Sequence, residues 1–486
     1  MKILLVNPPF LPKFSRSSRS PAVPKGGTLY YPLWLAYATG VLEKEGHDCK
    51  LVDAPAQGLS RKDILKVVKK FKPEVVVLDT STPSIYNDVE VLEEIKAKHD
   101  CFAVLVGTHV SALPLKTMKL SDKIDAIAIK EYDYTLRELA KELGKKKPVL
   151  KKVKGLVFKS GKKIVNTGVR KPIENLDDIP FASKVYKKHL NHKNYFYSAN
   201  LWPEITIVTG RGCPFNCLFC NWVQNLNPGK YRTRSITNVI EEFKYIEKEF
   251  PEVKEVFLED DTFTADFRRV KEFCKKKIDA GIKVKWSCNA RADVPLDVLK
   301  LMKRAGCRLL CVGFESGSQA ILNKARKGTI IPRIEKFMQD AKKAGVLVHG
   351  CFMVGNIGET TDTARQTVEF AKRLNPDSAQ FFPIMVYPGT GSYEYFKKQG
   401  WLITEDYSKW LDSEGSHNCM VSTPQLSNNE LVRLCDEGRR AFYLRPNYMT
   451  GKALQIVKTP EEARRILKSA FTLAKYLLRG SKGVKK

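Results

Sequence analysis

The stretch TGRGCPFNCLFCNW, residues 209–222, sets Cys213, Cys217 and Cys220 on one short loop, with Gly210, Gly212 and Pro214 letting the backbone curl. Three thiolates so placed can hold a zinc ion or an iron–sulfur cluster. Structural zinc takes four ligands, and no fourth lies close in the sequence. His189 and His192 precede the loop in a polar segment, and Cys274 and Cys288 belong to other elements. A four-iron cluster on three cysteines keeps one iron free of protein, where a small molecule can coordinate and take an electron.

The elements around this loop must present it to a ligand. From 204 to 386 the sequence repeats strand and helix six times, through ITIVT, EVFLE, VKWSC, RLLCVGF, VLVHGCF and SAQFFPIM. Six βα units predict a partial barrel of parallel strands whose reactive face lies at the C-terminal strand ends. The cysteine loop follows the first strand on that face. Glu259, Asp260 and Asp261 follow the second, Asn289 and Arg291 the third, and Glu315 and Ser316 the fourth, in GFESGS. VGNIGET and VYPGTGS are glycine-bearing exits that close the site. Cys288, Cys307, Cys311 and Cys351 lie in or beside these strands and read as core filling, since free cysteine behaves as a small hydrophobe.

Residues 1–145 alternate near-continuous apolar strands with amphipathic helices, which predicts a doubly wound parallel sheet that binds ligands beyond its strand ends. Those ends carry NPPF with Asn7 and Pro8, DTSTPS, and GTHVSALP with Gly107 and His109. Residues 146–200 read as a hairpin turning at Ser160-Gly161 and a Pro-marked linker, 201–399 as the barrel, and 400–486 as a helical C-terminal region. In the last, TPEEARRILKSAFTLAKYLLR begins with Thr459 as cap and Pro460 at the first helical position. Ile466, Leu467, Ala470, Leu473, Ala474, Leu477 and Leu478 form its apolar stripe, flanked by Arg464, Arg465, Lys468, Lys475 and Arg479. Such a helix either packs on its own barrel or lies on an anionic membrane surface.

The chain has 486 residues, 43% hydrophobic, and a net charge of +30. No run approaches the ~18–20 apolar residues that cross a bilayer, and MKILLVNPPF is too short in apolar length for a secretion signal. Twelve cysteines without the spacing of a small secreted scaffold suit a reducing compartment, so the expected location is cytoplasmic. The charge raises nucleic acid as a partner. No RNA-binding module follows the barrel and aromatics do not interleave with the lysine runs, so that partner ranks low.

At the cysteine loop the sequence resembles the radical S-adenosylmethionine (SAM) superfamily, with three residues and then two between the cysteines, and an aromatic, Phe219, before the last. The resemblance implies a 4Fe–4S cluster on Cys213, Cys217 and Cys220. SAM would chelate the open iron, and one electron would split it to methionine and a 5′-deoxyadenosyl radical. Phe219, Trp222, Glu259, Asp260, Asn289, Arg291 and Ser316 would then bind cofactor: the carboxylates at the ammonium, the guanidinium at the carboxylate, Ser316 near the ribose. Glu315 would reach the ribose or a substrate proton as the catalytic residue.

The preceding α/β domain, with NPP, VGTHVSALP, the linker, YRTRS at 231–235 and FYLRP at 442–446, resembles the cobalamin-binding branch of that superfamily. Asn7, Pro8, Gly107 and His109 would face cobalamin. KEYDYT (130–135) stands where many relatives carry a Gly-Glu-Gly-Glu-like turn, and there is no Asp-x-His-x-x-Gly pattern to offer a lower cobalt ligand. Members with this tail resemble anaerobic magnesium-protoporphyrin monomethyl ester cyclases and hopanoid- or isoprenoid-lipid-modifying enzymes. The expectation is an enzyme that methylates or cyclises a small hydrophobic lipid or tetrapyrrole, served by a reductant such as ferredoxin or flavodoxin and touching membrane through its last helix. Rival readings are a radical SAM enzyme without cobalamin, an RNA-modifying one, and a non-enzymatic iron–sulfur protein.

Overall fold

The computed structural model describes residues 1–227 and 229–480. The first sheet has seven strands: β1 Lys2–Asn7, β2 Asp48–Asp53, β3 Val75–Thr80, β4 Phe102–Gly107, β5 Ala126–Ala128, β6 Leu156–Ser160 and β7 Lys163–Asn166. Their order is 2-1-3-4-5-6-7, parallel from β2 to β5 and antiparallel at β6 and β7. Every residue of β3 is buried, as a parallel strand covered on both faces requires. The hairpin thus adds to this sheet's edge, so the first unit runs on to Asn166, where strand rhythm alone closed it at 145.

The second sheet holds β8 Glu204–Ile207, β11 Glu255–Leu258, β12 Lys285–Ala290, β13 Cys307–Glu315, β14 Leu347–Val354 and β15 Ser378–Pro383, all parallel and in chain order. This is the six-unit partial barrel. Between β8 and β11 a two-residue pair, β9 Gly210–Arg211 and β10 Arg232–Thr233, braces the cysteine loop.

An open barrel has two bare edges, and each is capped. Along β8 and just past it, alternate carbonyls receive tyrosine hydroxyls: Glu204 from Tyr31 at 2.8 Å, Thr206 from Tyr186 at 3.1 Å, Val208 from Tyr37 at 3.3 Å. Tyr31 and Tyr37 come from the first domain, so this edge is also the seam between the two sheets. At the other edge the helix Asn428–Tyr443 lies on β15, where the Tyr443 hydroxyl donates to the Ala379 carbonyl (2.7 Å) and accepts from its N–H (3.0 Å).

The C-terminal region is helical only from Asn428. Residues 401–427 form an irregular strap with a single turn, Tyr407–Trp410, which lays Tyr407 against His109 of the first domain at 4.9 Å between ring centroids. The last helix, Pro460–Arg479, docks through polar groups, and of its apolar stripe Ile466, Ala474 and Leu477 are half-buried while Leu467, Ala470 and Leu478 are exposed. Glu462 and Arg465 are buried, Arg308 donates to Glu462 at 2.9 Å, and Arg465 to the Ser198 carbonyl at 3.4 Å. Leu467, Phe471 and Leu478 face solvent at 58%, 86% and 82% exposure. The side chains of Arg464, Leu473, Lys475 and Arg479 lie outside the described residues.

Candidate active site

The cysteine loop leaves β9 at Gly212, whose φ of +88° would place a Cβ 2.5 Å from the Lys230 carbonyl, so only glycine fits this turn. The loop is held from four sides. Leu218 donates to the Ala325 carbonyl (3.1 Å) and accepts from Ser392 (2.9 Å), Gln224 Nε2 donates to the Cys217 carbonyl (3.0 Å), and the Gly212 N–H donates to Asp261 (2.9 Å). Burial pushes the Cys213 thiol up to about 11 and the Cys220 thiol up to about 12. Such sulfurs keep their protons unless a cation takes their place. Among the described residues only Cys311, His349 and Cys351 bring three ligand atoms within 4.8 Å of one another. The three loop sulfurs are not among such closely grouped sets.

Asp261 supplies the clearest sign of a missing group. One carboxylate oxygen accepts from Gly212 and from Asn227 Nδ2 (3.3 Å); the other is buried with no partner, and burial pushes the carboxyl up to about 6. Asn221 Nδ2 and Asn227 Oδ1, close in sequence to the cysteines, are buried and unpartnered too. Buried polar atoms are nearly always satisfied, so this shell is built for a polar ligand.

The other expected residues divide. Glu259 pairs with Arg19, which also donates to the Asp260 carbonyl at 3.0 Å and stacks on Trp222 at 4.4 Å. Arg291 lies 3.6 Å over the Phe215 ring and donates to the carbonyls of Lys327 and Gly328. Glu315, at φ +66°, accepts from Lys327 Nζ at 2.8 Å, and Lys327 in turn lies 6.0 Å from the Phe219 ring. Asn289 donates to the Asp260 carbonyl at 3.2 Å. These groups converge on the cysteine loop. By contrast, Asp260 is consumed by Thr209 (2.6 and 2.7 Å) and Tyr231 (2.7 Å), and Ser316 by Thr367 and the Ser318 N–H (both 3.1 Å). Trp222 packs on Trp34 and donates to the Ser18 carbonyl, seating that segment rather than facing a ligand.

In the first domain Gly107 ends β4 at φ +111°, where a Cβ would lie 2.4 Å from the Thr80 carbonyl. His109 is buried, turned to Thr82 (3.2 Å) and lidded by Tyr407, and burial pushes it down to about 3, so it is neutral. Asn7 and the Pro8 carbonyl are both engaged by Arg16, and Asn7 also donates to Asp53 at 2.8 Å. Asp79, at the end of β3, is pushed up to about 7 by burial, with the nearby Arg16 charge opposing. The Tyr132 hydroxyl, within electrostatic reach of Asp79, is buried without a partner.

KEYDYT joins the two domains. Glu131 binds Arg232 of YRTRS, and Asp133 takes both ends of Arg211, at 2.7 and 3.2 Å. The segment SRSSRS at 15–20, unmarked in the sequence reading, is the second link: Arg16 enters the first domain, Arg19 the barrel, and Ser20 bonds Tyr387 (3.1 Å) and His417 (2.9 Å). A run of Arg and Ser just after NPPF was the only available signal.

Residues 207–371 match the radical SAM superfamily and residues 20–140 the B12-binding domain. An uncharacterized methyltransferase of Pyrococcus horikoshii is 33% identical over 92% of this chain and 94% of its own length. The chain belongs to the cobalamin-binding radical SAM family. It is an enzyme of the methyltransferase and cyclase type, and its cofactors are a 4Fe–4S cluster, SAM and cobalamin. An anaerobic magnesium-protoporphyrin IX monomethyl ester cyclase of Cereibacter sphaeroides is 29% identical over 85% of the chain and 67% of its own. In fold, this cobalamin-binding radical SAM chain matches OxsB with cobalamin and SAM bound (TM-score 0.69, 17% identity, 99% of this chain, 73% of that) and TsrM of Kitasatospora setae (0.68, 15%, 90% of each).

The raised Asp79 sets a pH test. An ordinary aspartate titrates near 3.9 unfolded, so between there and about 7 the folded domain holds a proton the unfolded chain lacks. Stability is then greatest on the acid side and is lost as pH rises through 7. Asp79→Asn is expected to raise the thermal midpoint of the cofactor-free protein at pH 8 and to flatten its fall between about pH 5 and 8, read by calorimetry.

Proposed function

We propose that this enzyme methylates or cyclises an unactivated carbon of a hydrophobic lipid or tetrapyrrole, with Cys213, Cys217 and Cys220 as cluster ligands. The observation that carries the site assignment is the unpartnered oxygen of Asp261, whose other oxygen holds the loop at Gly212, next to Cys213. When bound, the cluster and cobalamin supply an electron that splits SAM and a methyl or carbon–carbon bond-forming function. The chain's own work is to bind and orient. Asp261 and Glu259 offer carboxylates to an ammonium, and Arg291, fixed flat on Phe215, offers charge to a carboxylate. Glu315, held by Lys327, stands at the top of β13 within the same space. The tyrosine-capped seam along β8 and the two arginine-rich links hold the domains together.

Two surfaces support the partners. On the outer side of Cys213 a cleft of about 570 Å³, lined by Asn216, Lys230, Tyr231, Asp266 and Arg269, gives an acidic reductant such as ferredoxin or flavodoxin a short path to the cluster. The last two helices turn Leu454, Val457, Leu467, Phe471 and Leu478 outward among lysines, which suits an anionic lipid surface and a substrate drawn from it. No described helix is long and apolar enough to cross a membrane.

The test is anaerobic reconstitution with iron, sulfide and cobalamin, then reduction with SAM present. Expected are 5′-deoxyadenosine and methionine in the products and cobalt-linked absorbance on the protein. An intact cluster that leaves SAM whole would make the chain a carrier or sensor; cleavage without bound cobalt would leave the first domain a docking module. In the same preparation, Phe471→Asp with Leu478→Asp should lower co-sedimentation with anionic phospholipid vesicles several-fold, and unchanged retention removes the membrane contact.

A further inference from the structure

Two of the four barrel cysteines are not fully buried. Cys288 and Cys307 are buried at 0% and 1% exposure, as a small hydrophobe should be, but Cys311 and Cys351 are only half-buried. Strand register places them. Asn289, Cys311, His349 and Ser378 are direct partners across β12, β13, β14 and β15, so their side chains form one row on one face of the sheet. Asn289 belongs to the shell around the cysteine loop, so the row faces the barrel lumen. Cys351, two residues beyond His349, lies on that same face opposite Gly313, whose missing side chain makes room for the Glu315 carboxylate and the Lys327 ammonium. Below, Tyr197, Phe257 and Leu309 form an apolar floor.

The sulfurs of Cys311 and Cys351 stand 4.0 Å apart, and the His349 ring joins them with all three ligand atoms within 4.8 Å. A disulfide needs sulfurs about 2.0 Å apart. Tetrahedral zinc, with bonds of about 2.3 Å to sulfur and 2.0 Å to nitrogen, sets its sulfurs roughly 3.8 Å apart. His349 is already oriented by two side chains of β15: Nδ1 lies 2.8 Å from the Ser378 hydroxyl, and Gln380 also hydrogen-bonds the ring. The Tyr197 hydroxyl donates to Cys311 Sγ at 3.4 Å, as a phenol does to a thiolate. Two thiolates and a neutral imidazole would also balance a divalent charge, which a half-buried lumen demands.

We infer that Cys311, Cys351 and His349 form a second metal site, separate from the cysteine loop, that takes a soft divalent cation such as Zn2+. Three protein donors leave the fourth vertex open towards the lumen, the arrangement of zinc sites that bind a substrate donor. The class of ligand is thus an oxygen, nitrogen or sulfur donor on the molecule in the barrel. Ser378 is a positioning residue, acting through His349. The inference does not depend on the proposed substrate.

The experiment uses the full chain with its iron cluster assembled anaerobically, loaded with Zn2+, dialysed against a chelator and assayed for both metals. About one Zn2+ per chain should remain beside the cluster iron. Cys351→Ser should lower zinc affinity more than about 100-fold, and Ser378→Ala about 10–100-fold, with iron content unchanged. A chain with Cys213, Cys217 and Cys220 replaced by alanine should lose its iron yet retain zinc, and Co2+ in its place should show sulfur-to-cobalt charge-transfer absorption that Cys351→Ser removes. Preserved iron in the lumen variants guards against misfolding. No zinc retained by the parent, zinc retained equally by Cys351→Ser, or zinc lost with the loop cysteines would each overturn the site.

Discussion

Cys217→Ala should strip iron from the anaerobically reconstituted protein and bring SAM cleavage to background, while leaving the fold intact. The two effects separate because of what Cys217 touches. Its carbonyl accepts from the Cys220 N–H at 3.3 Å and from Gln224 at 3.0 Å, so the backbone of the loop is pinned whatever the side chain. The thiol itself is partly exposed and makes no hydrogen bond that alanine would orphan, so the change in stability should be within about 0.5 kcal/mol. Two cysteines cannot hold a cluster that already lacks a fourth protein ligand. The loss of metal and activity should therefore exceed the ~10–100-fold cost of a change one shell further out. Cys288→Ala is the contrast: fully buried, it should cost about 1 kcal/mol or more of stability through the cavity left behind and leave the iron in place. Iron assay, deoxyadenosine yield and thermal midpoint on both variants check the pair. A Cys217→Ala protein that keeps its iron would move the cluster elsewhere.

What could be read from the chain follows from how local each signal is. Strands such as VVVLDT announce themselves because burial on both faces makes most residues apolar, and the cysteine triad because its three thiols lie within one loop. Arg19 could not be found this way. Its partner Glu259 is 240 residues distant, and SRSSRS has neither period nor composition to suggest that one arginine enters each domain. The three consecutive acids after β11 were equally opaque: Glu259 meets Arg19, Asp260 is spent on Thr209 and Tyr231, and Asp261 alone keeps an oxygen free. That sorting depends on loop geometry, not on residue type. Strand parity could have separated Cys288 from Cys311, since Asn289 and Cys311 share a row while Cys288 points the other way. The last helix misled for a physical reason. Amphipathicity predicts an apolar face turned inward, but Glu462 and Arg465 meet Arg308 and the Ser198 carbonyl at the barrel's base, so polar groups dock while Leu467, Ala470 and Leu478 of the stripe stay exposed.

Arg16→Met should destabilise the first domain by about 3–5 kcal/mol, the cost of removing one partner from a buried ion pair. Arg16 and Asp88 have side chains at 0% exposure and meet at 2.8 Å. The same guanidinium also serves Asn7, the Pro8 carbonyl at 2.9 Å and Ser84 at 3.3 Å, so methionine strands several acceptors that water cannot reach. Burial already lifts the Asp88 carboxyl above the usual range, with Arg16 the main force opposing it. Without the arginine, Asp88 and its neighbour Asp79 must take up protons to stay inside, so both carboxyls would titrate higher still. A raised folded pKa gives stability that is lost as pH rises. The deficit of Arg16→Met should therefore be small near pH 5 and greatest near pH 8, whereas loss of packing alone would be independent of pH. Arg16→Met with Asp88→Asn removes the stranded charge and should recover much of the loss. Because a chain of two domains need not unfold in one step, the reading is the calorimetric transition that shifts on adding cobalamin, followed from pH 5 to 8. A deficit that stays constant across that range, or a double variant no better than the single, would mean that Arg16 acts here through its bulk and not its charge.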